Sequence, residues 1–295
     1  MKVVGIGGGH GLAATLRAAR LYATDISAVV TVADDGGSSG RLTRELGIPP
    51  PGDIRNCLVA LATNEELGHL YQHRFTTGAL TGHSVGNLVI AALTEIEGDF
   101  GAAVVRAGEL LGVDGRVFPA TCELVRLGAR VQGGVVQGQV AVARTEAPIQ
   151  AVYLDPPAPE AYADAVECIR EADQIVMGPG SLFTSLIAAI LVPGISRAVR
   201  ETRAKRIFVC NNRMQKGETE GLSVSDHLGG LLAHVGPDCI DAVVVQDPPE
   251  TPDGVAIDEE GLAFLHLDVV RADISEPGGA HDPVRLAEVL KSLGK

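Results

Sequence analysis

Residues 3 to 11, Val-Val-Gly-Ile-Gly-Gly-Gly-His-Gly, are the best-placed groups in the chain for holding an anion. The apolar run to Ile6 reads as a strand, and Leu12 to Leu21 reads as a helix with apolar positions at helical spacing. A glycine loop between them lets the backbone approach a ligand closely. The first N–H groups of the following helix lack internal partners and stand at the positive end of its dipole. Phosphate is the natural guest for Gly8, Gly9, His10 and Gly11. The alternative is a tight turn that binds nothing. A dinucleotide fingerprint starting at Gly5 and Gly7 needs glycine where His10 stands, and no Gly-Lys-Ser/Thr follows to make a P-loop.

Two carboxylates come next. Asp34 and Asp35 follow the β-forming run Ile26 to Val32 and precede Gly36-Gly37-Ser38-Ser39-Gly40. Asp34 stands 23 residues beyond Gly11, near where nucleotide-binding folds keep an acid for a ribose hydroxyl. The pair and the small donors beside it, Ser38 among them, also suit Mg²⁺ shared with a ligand phosphate. The plain reading is a capped polar loop. Arg41 and Arg55 offer guanidinium forks for phosphate, although helix arginines are commonly solvated. Asp53 reads as the N-cap of a helix from Ile54 to Ala62.

Three later stretches carry similar groups. Thr81-Gly-His-Ser-Val-Gly-Asn87 opens a long apolar helix. Gly178-Pro-Gly180-Ser181 follows a short buried strand, Gln174 to Met177, and precedes another helix. Asn211-Asn212-Arg213 follows the strand Arg206 to Cys210. His69 and His73 share a helix face, but no third ligand is placed to complete a metal site.

The elements that position these loops alternate strand and helix, the mark of a mostly parallel α/β sheet. Residues 115 to 155 break the pattern with β-alternating segments and glycine turns, which predicts an antiparallel β insertion within a single domain spanning residues 1–295. Helices are expected at Ala161 to Glu171, Val224 to His234 and Val284 to Leu293. Further strands are expected at Ala242 to Val245 and Leu265 to Val270.

Composition sets outer limits. Hydrophobic residues are 46% of 295, which supplies a large core, but aromatics are only 3%, so Val, Leu, Ile and Ala must fill it. A net charge of −13 argues against nucleic acid and against anionic membrane as partners. The five cysteines are scattered without C-x-x-C, which fits reduced thiols in a cytoplasmic protein. No signal segment is expected, because Met1-Lys2 leads directly into a strand.

In order, VVGIGGGHGL, VTVADDGGSSGRL, PPPGDIRNCLVALA, GHSVGNLVIAAL, MGPGSLFTSLIAAILVPGI and VCNNRMQKGET resemble the YvcK family of bacterial gluconeogenesis factors. That family is related to the CofD transferases, which move a phospholactyl group onto a deazaflavin. The resemblance implies a Rossmann-like three-layer fold and a homodimer. It implies binding of UDP-sugars, notably UDP-N-acetylglucosamine, and a regulatory role in gluconeogenic growth and cell shape. Protein partners would read that signal. The implied phosphate loops are Gly8 to Gly11 and Gly180 to Ser181, with Asp34, Asp35, Asn87, Asn211 and Arg213 around the pocket. The family pattern implies threonine where His10 stands. The alternative function is a Mg²⁺-dependent transferase, in which Asp34 and Asp35 serve the metal and the chemistry.

Overall fold

The computed structural model describes residues 1–294. Ten strands form two sheets. The large sheet contains β1 (Lys2–Gly7), β2 (Asp25–Val30), β3 (Arg116–Pro119), β7 (Gln174–Met177), β8 (Lys205–Val209), β9 (Ala242–Gln246) and β10 (Asp268–Ala272). The small one contains β4 (Arg126–Val131), β5 (Gly134–Gln137) and β6 (Ile149–Asp155).

The large sheet runs β10-β9-β8-β7-β1-β2-β3 with every pairing parallel. From β1 the chain moves outward through β2 to β3. It then returns to β7, beside β1 on the other flank, and moves outward again to β10. The order reverses between β1 and β7, so the loops after these two strands open the crevice where parallel sheets bind ligands.

β1 shows why the sheet is buried on both faces. Val4 and Ile6 face one apolar cluster, with Ile175, Met177 and the 182–201 helical region. Val3 faces the other, with Leu12, Leu16, Ile54 and Leu58. A strand covered on both sides reads as a continuous apolar run rather than an alternation, and β1 from Val3 onward is wholly buried. Helix α1 (Gly9–Ala19) presents Leu12, Thr15, Leu16 and Ala19 inward at helical spacing. It lies tight on β1: a Cβ at Gly5 would stand 2.8 Å from the Leu12 side chain.

Helices α2 (Gly37–Leu46), α3 (Gly52–Leu61), α4 (Glu65–Gln72), α5 (Val85–Glu97) and α6 (Phe100–Leu111) follow β2. His69 lies on α4 and His73 caps its end, both exposed. Pro51, not Asp53, is the N-cap of α3; Asp53 sits in the first turn with its carboxylate turned toward the glycine loop.

The antiparallel insertion starts later than its sequence indicates. Residues 116–119 pair in parallel with β2 as the edge of the large sheet, so the small sheet begins at Arg126. A short helix, Gln139–Ala143, occupies a stretch that reads as strand. All five cysteines are free thiols. Among the described residues no single helix is long and apolar enough to cross a membrane.

The closest approach in the crevice is between α1 and the turn after β7. A Cβ built on Gly11 would lie 2.3 Å from the Pro179 carbonyl oxygen. Gly11→Ala must push the two turns apart and should destabilise the protein by ~1–3 kcal/mol. Gly229→Ala, at an exposed helical glycine whose added Cβ meets nothing, should instead stabilise by ~0.5–1 kcal/mol. Urea unfolding of both variants checks this, and equal midpoints would remove the claimed contact.

Candidate functional site

Gly8, Gly9, His10 and Gly11 bend from the end of β1 straight into α1. Gly8 is extended and caps the helix without a side chain, and Gly9 takes φ +63°, a conformation that favours glycine. The helix therefore starts three residues earlier than the apolar spacing indicates, and Gly9, His10 and Gly11 form its first turn. They line a cavity of about 310 Å³ with Thr31, Asp34, Asp53, Gly180, Ser181 and Gln215. The first-turn amides point along the helix axis into it. His10 is exposed at the mouth.

The opposite wall is the turn after β7, and it is more fully satisfied than a bare helix start. The Thr15 hydroxyl donates to the Gly178 carbonyl at 2.6 Å, pinning the turn to α1. Asn211 grips Gly180 from both sides: Gly180 N–H donates to Oδ1 at 2.8 Å, and Nδ2 donates to the Gly180 carbonyl at 2.9 Å. Gln215 Nε2 donates to the Ser181 hydroxyl at 3.1 Å. The helix beyond begins as a π-helical segment, Leu182–Ile187. Its first amides are taken by a carboxylate of the protein itself: Glu218 accepts from Phe183 N–H at 2.7 Å and Thr184 N–H at 2.9 Å. Glu218 is 7% exposed, and burial raises its pKa against the pull of these donors. The second turn thus offers a wall and the Ser181 hydroxyl, while the helix-end donors come from α1, where the Gly9 amide faces Asp53.

The two loop aspartates part company. Asp34 is partly buried, accepts from Gly36 N–H at 2.9 Å, and lines the glycine-loop cavity. Burial raises its pKa. Asp35 is exposed and turns away: its Oδ1 accepts from Val140 N–H at 2.9 Å and so ties the short insertion helix to the sheet. The carboxylate beside Asp34 is Asp53. A Cβ on Gly8 would lie 2.4 Å from Asp53 Oδ2. Burial, reinforced by the charge of Asp34, pushes the Asp53 carboxyl up to about 7, with the Gly9 amide and Arg55 opposing. This coupled pair is distant in sequence, and α-helical numbering alone does not bring it together.

Ser38 and Asn87 meet in an adjoining cavity of about 330 Å³ that shares His10, Asp34 and Asp53 with the first. Asn87 Nδ2 donates to Ser38 Oγ at 3.1 Å, and Asn87 Oδ1 accepts from Arg55 at 2.9 Å. Arg213 lies elsewhere: it is exposed and bound to Asp253 at 2.8 Å. Of the expected groups, Gly8 to Gly11, Asp34, Gly180 and Ser181 share one cavity. Asn211 acts behind its wall. Asp53, Glu218 and Gln215 join the site unannounced by any local motif. The largest cavity, about 720 Å³ beside β3 and α6, has mostly apolar walls with an acidic rim and no glycine loop.

Comparison with known proteins bears on this arrangement. The profile of the family described as 2-phospho-L-lactate transferase CofD matches residues 3–277. The chain belongs to the CofD family. Its relatives include the gluconeogenesis factor of Bacillus subtilis, 42% identical over all of this chain and 98% of that protein. The gluconeogenesis factor of Halalkalibacterium halodurans is 41% identical over 91% of this chain and 88% of its own length. A crystal structure of a UPF0052 family member from Bacillus halodurans superposes with a TM-score of 0.94 at 38% identity, covering 98% of this chain and 97% of that one. The CofD family match spans both turns of the crevice, the two aspartates and Glu218.

The raised Asp53 value sets a sign for pH. The fold disfavours the ionised carboxylate. Stability is therefore fully present below the ordinary value of 3.8 and is lost as pH climbs toward about 7. Asp53→Asn removes that loss. The variant should match the parent near pH 4 and exceed it at pH 8 by no more than about 4 kcal/mol. Urea midpoints of both proteins across this range give the test; a pH-independent difference would show that Asp53 ionises freely.

Proposed function

We propose that this protein is a regulatory binder of a nucleotide-sugar of the UDP-N-acetylglucosamine type and leaves the ligand intact. The carrying observation is the start of α1, which has no side-chain cap and whose glycines line a cavity beside Ser181. Donors of this kind match a pyrophosphate. Kinship with gluconeogenesis factors supports a role in growth on gluconeogenic carbon. In this reading the protein acts in the cytoplasm as a homodimer, contributes to cell shape, and passes ligand occupancy to protein partners.

A second reading, a CofD-type transferase, draws on the pairing of Asp34 with Asp53 at the same cavity and on the family match. The donor set fits a hard cation, since two carboxylates and the buried, unpartnered Thr31 hydroxyl border one space. Asp34 and Asp53 would hold Mg²⁺, which supplies charge neutralisation for a pyrophosphate. In either reading Asp35 holds the insertion and the chain's amides orient the phosphates.

Incubation with UDP-N-acetylglucosamine and Mg²⁺, followed by phosphorus NMR over hours, separates the two. Saturable binding with an unchanged pyrophosphate is the expected result. Steady release of UDP or UMP, stopped by Asp34→Asn, would install the transferase instead. Ser181→Ala should weaken binding about tenfold through one lost contact to a charged phosphate, with little change in the apo melting temperature. No binding at all defeats both readings.

A further inference from the structure

The adjoining cavity holds a buried charge that touches no carboxylate, although Asp34 and Asp53 line the same space. Arg55 is 5% exposed. Its Nη1 donates to Ser84 Oγ and, at 2.9 Å, to Asn87 Oδ1; its Nη2 donates to Asn56 Oδ1 at 2.8 Å. All three acceptors are neutral. Nε, also buried, has no partner at all. Removing a guanidinium from water without a counter-charge is costly, and an unmade bond from a buried charged donor adds to that cost. Burial and the nearby charge of Arg74 push the Arg55 pKa down to about 10, against the pull of Asp53 and Asp34.

A second feature converges on the same space. Helix α2, ten residues long, starts at Gly37 with no side-chain cap. Gly36, Gly37, Ser38 and Ser39 line the cavity opposite Arg55, with Arg74 at its rim. Neighbouring side chains are already committed to one another. Asn87 bonds Ser38, Ser38 bonds His83 at 3.0 Å, and Gln72 bonds Asn56 at 3.2 Å. The donors left over are the helix-end amides and the guanidinium, and the carboxylates of Asp34 and Asp53 stand on the wall toward the glycine loop.

We propose that this cavity is a separate oxyanion subsite for a phosphate-sized group, held by Arg55, the first-turn amides of α2 and Arg74. It is divided from the glycine-loop cavity by Asp34 and Asp53, which line both spaces. Two carboxylates between two anion sites keep their guests apart, as a donor and an acceptor, or two ends of one ligand, require. The subsite stands on Arg55, Arg74 and α2 and does not depend on which nucleotide the first cavity takes.

Selenate soaked into crystals of the wild-type protein is the direct probe. An anomalous peak within hydrogen-bond distance of Arg55 and the start of α2 is expected; a peak only at Gly9 to Gly11, or none, overturns the subsite. In solution, inorganic phosphate should raise the melting temperature, and its affinity should fall about tenfold or more in Arg55→Gln. Arg74→Gln, at an exposed site, should weaken phosphate while leaving the apo protein equally stable, which keeps the test decisive if Arg55→Gln misfolds. Ser181→Ala should leave a phosphate-dependent shift in place; its loss there with retention in both arginine variants would overturn the assignment. Adding UDP-N-acetylglucosamine then identifies the source. Additive shifts mark a free phosphate, and competition at Arg55 marks a distal group of the nucleotide ligand.

Discussion

The site depends on one contact that only glycine permits. The backbone of Gly11 packs against the Pro179 carbonyl so closely that any β-carbon would stand 2.3 Å from that oxygen. This contact exists because β1 and β7 are neighbours although more than half the chain separates them. Parallel pairing sets their turns at the same end of the sheet, and the reversal of strand order leaves a gap above them. The Thr15 hydroxyl on the Gly178 carbonyl and the two bonds from Asn211 to Gly180 fix the second turn once it arrives. The glycine loop alone is a flexible turn. Held against the wall of the second turn, its amides have one direction in which to point.

The protein's own carboxylates decide which amides stay free. Glu218 satisfies Phe183 and Thr184, so the second helix start is closed to a guest. Asp53 faces the first loop but is held near neutrality by burial and by Asp34. Glu218 is held by two amides and the Thr184 hydroxyl, whereas the Asp53 carboxyl meets the Gly9 amide alone. That difference separates the two helix starts, although both stand beside an acid. It also reconciles a net charge of −13 with an anionic ligand, since the relevant field is set within a few ångströms by partly desolvated groups.

The sequence discloses what is local. Strand, glycine turn and helix are adjacent in the chain, so both turns of the crevice, the strand Gln174–Met177 and the α/β class can be read directly. What depends on packing is hidden. Asp53 reads as a cap because aspartate before an apolar helix is commonly one, yet Pro51 takes that place and the sheet turns the carboxylate to Gly8. Glu218 lies in a loop 34 residues beyond the amide it caps, with no periodicity to mark it. β3 has four residues and follows a helix closely, so its parallel partner about 90 residues upstream, Ser27 opposite Arg116, leaves no local trace beside the antiparallel hairpins after it. Asn211 and Arg213 sit two apart in one loop, but only Asn211 faces the crevice wall; Arg213 is drawn off by Asp253.

Charge is sorted across the two cavities in a way that composition does not reveal. Asp34 and Asp53 stand together on the wall between them, while the more deeply buried Arg55 is bonded only to neutral oxygens. Asp34 and Asp53 act on Arg55 across a distance, without the contact of an ion pair. Here Asn87, Asn56 and Ser84 hold the guanidinium in a fixed orientation away from the carboxylates, and Ser38 and His83 brace that array. Orientation of an uncompensated charge is costly in the empty state and favourable once an opposite charge enters. The same reasoning applies to the raised Asp53 carboxyl on the other side. Both groups are costly to keep charged in the folded protein, and the wall that Asp34 and Asp53 share separates the two cavities.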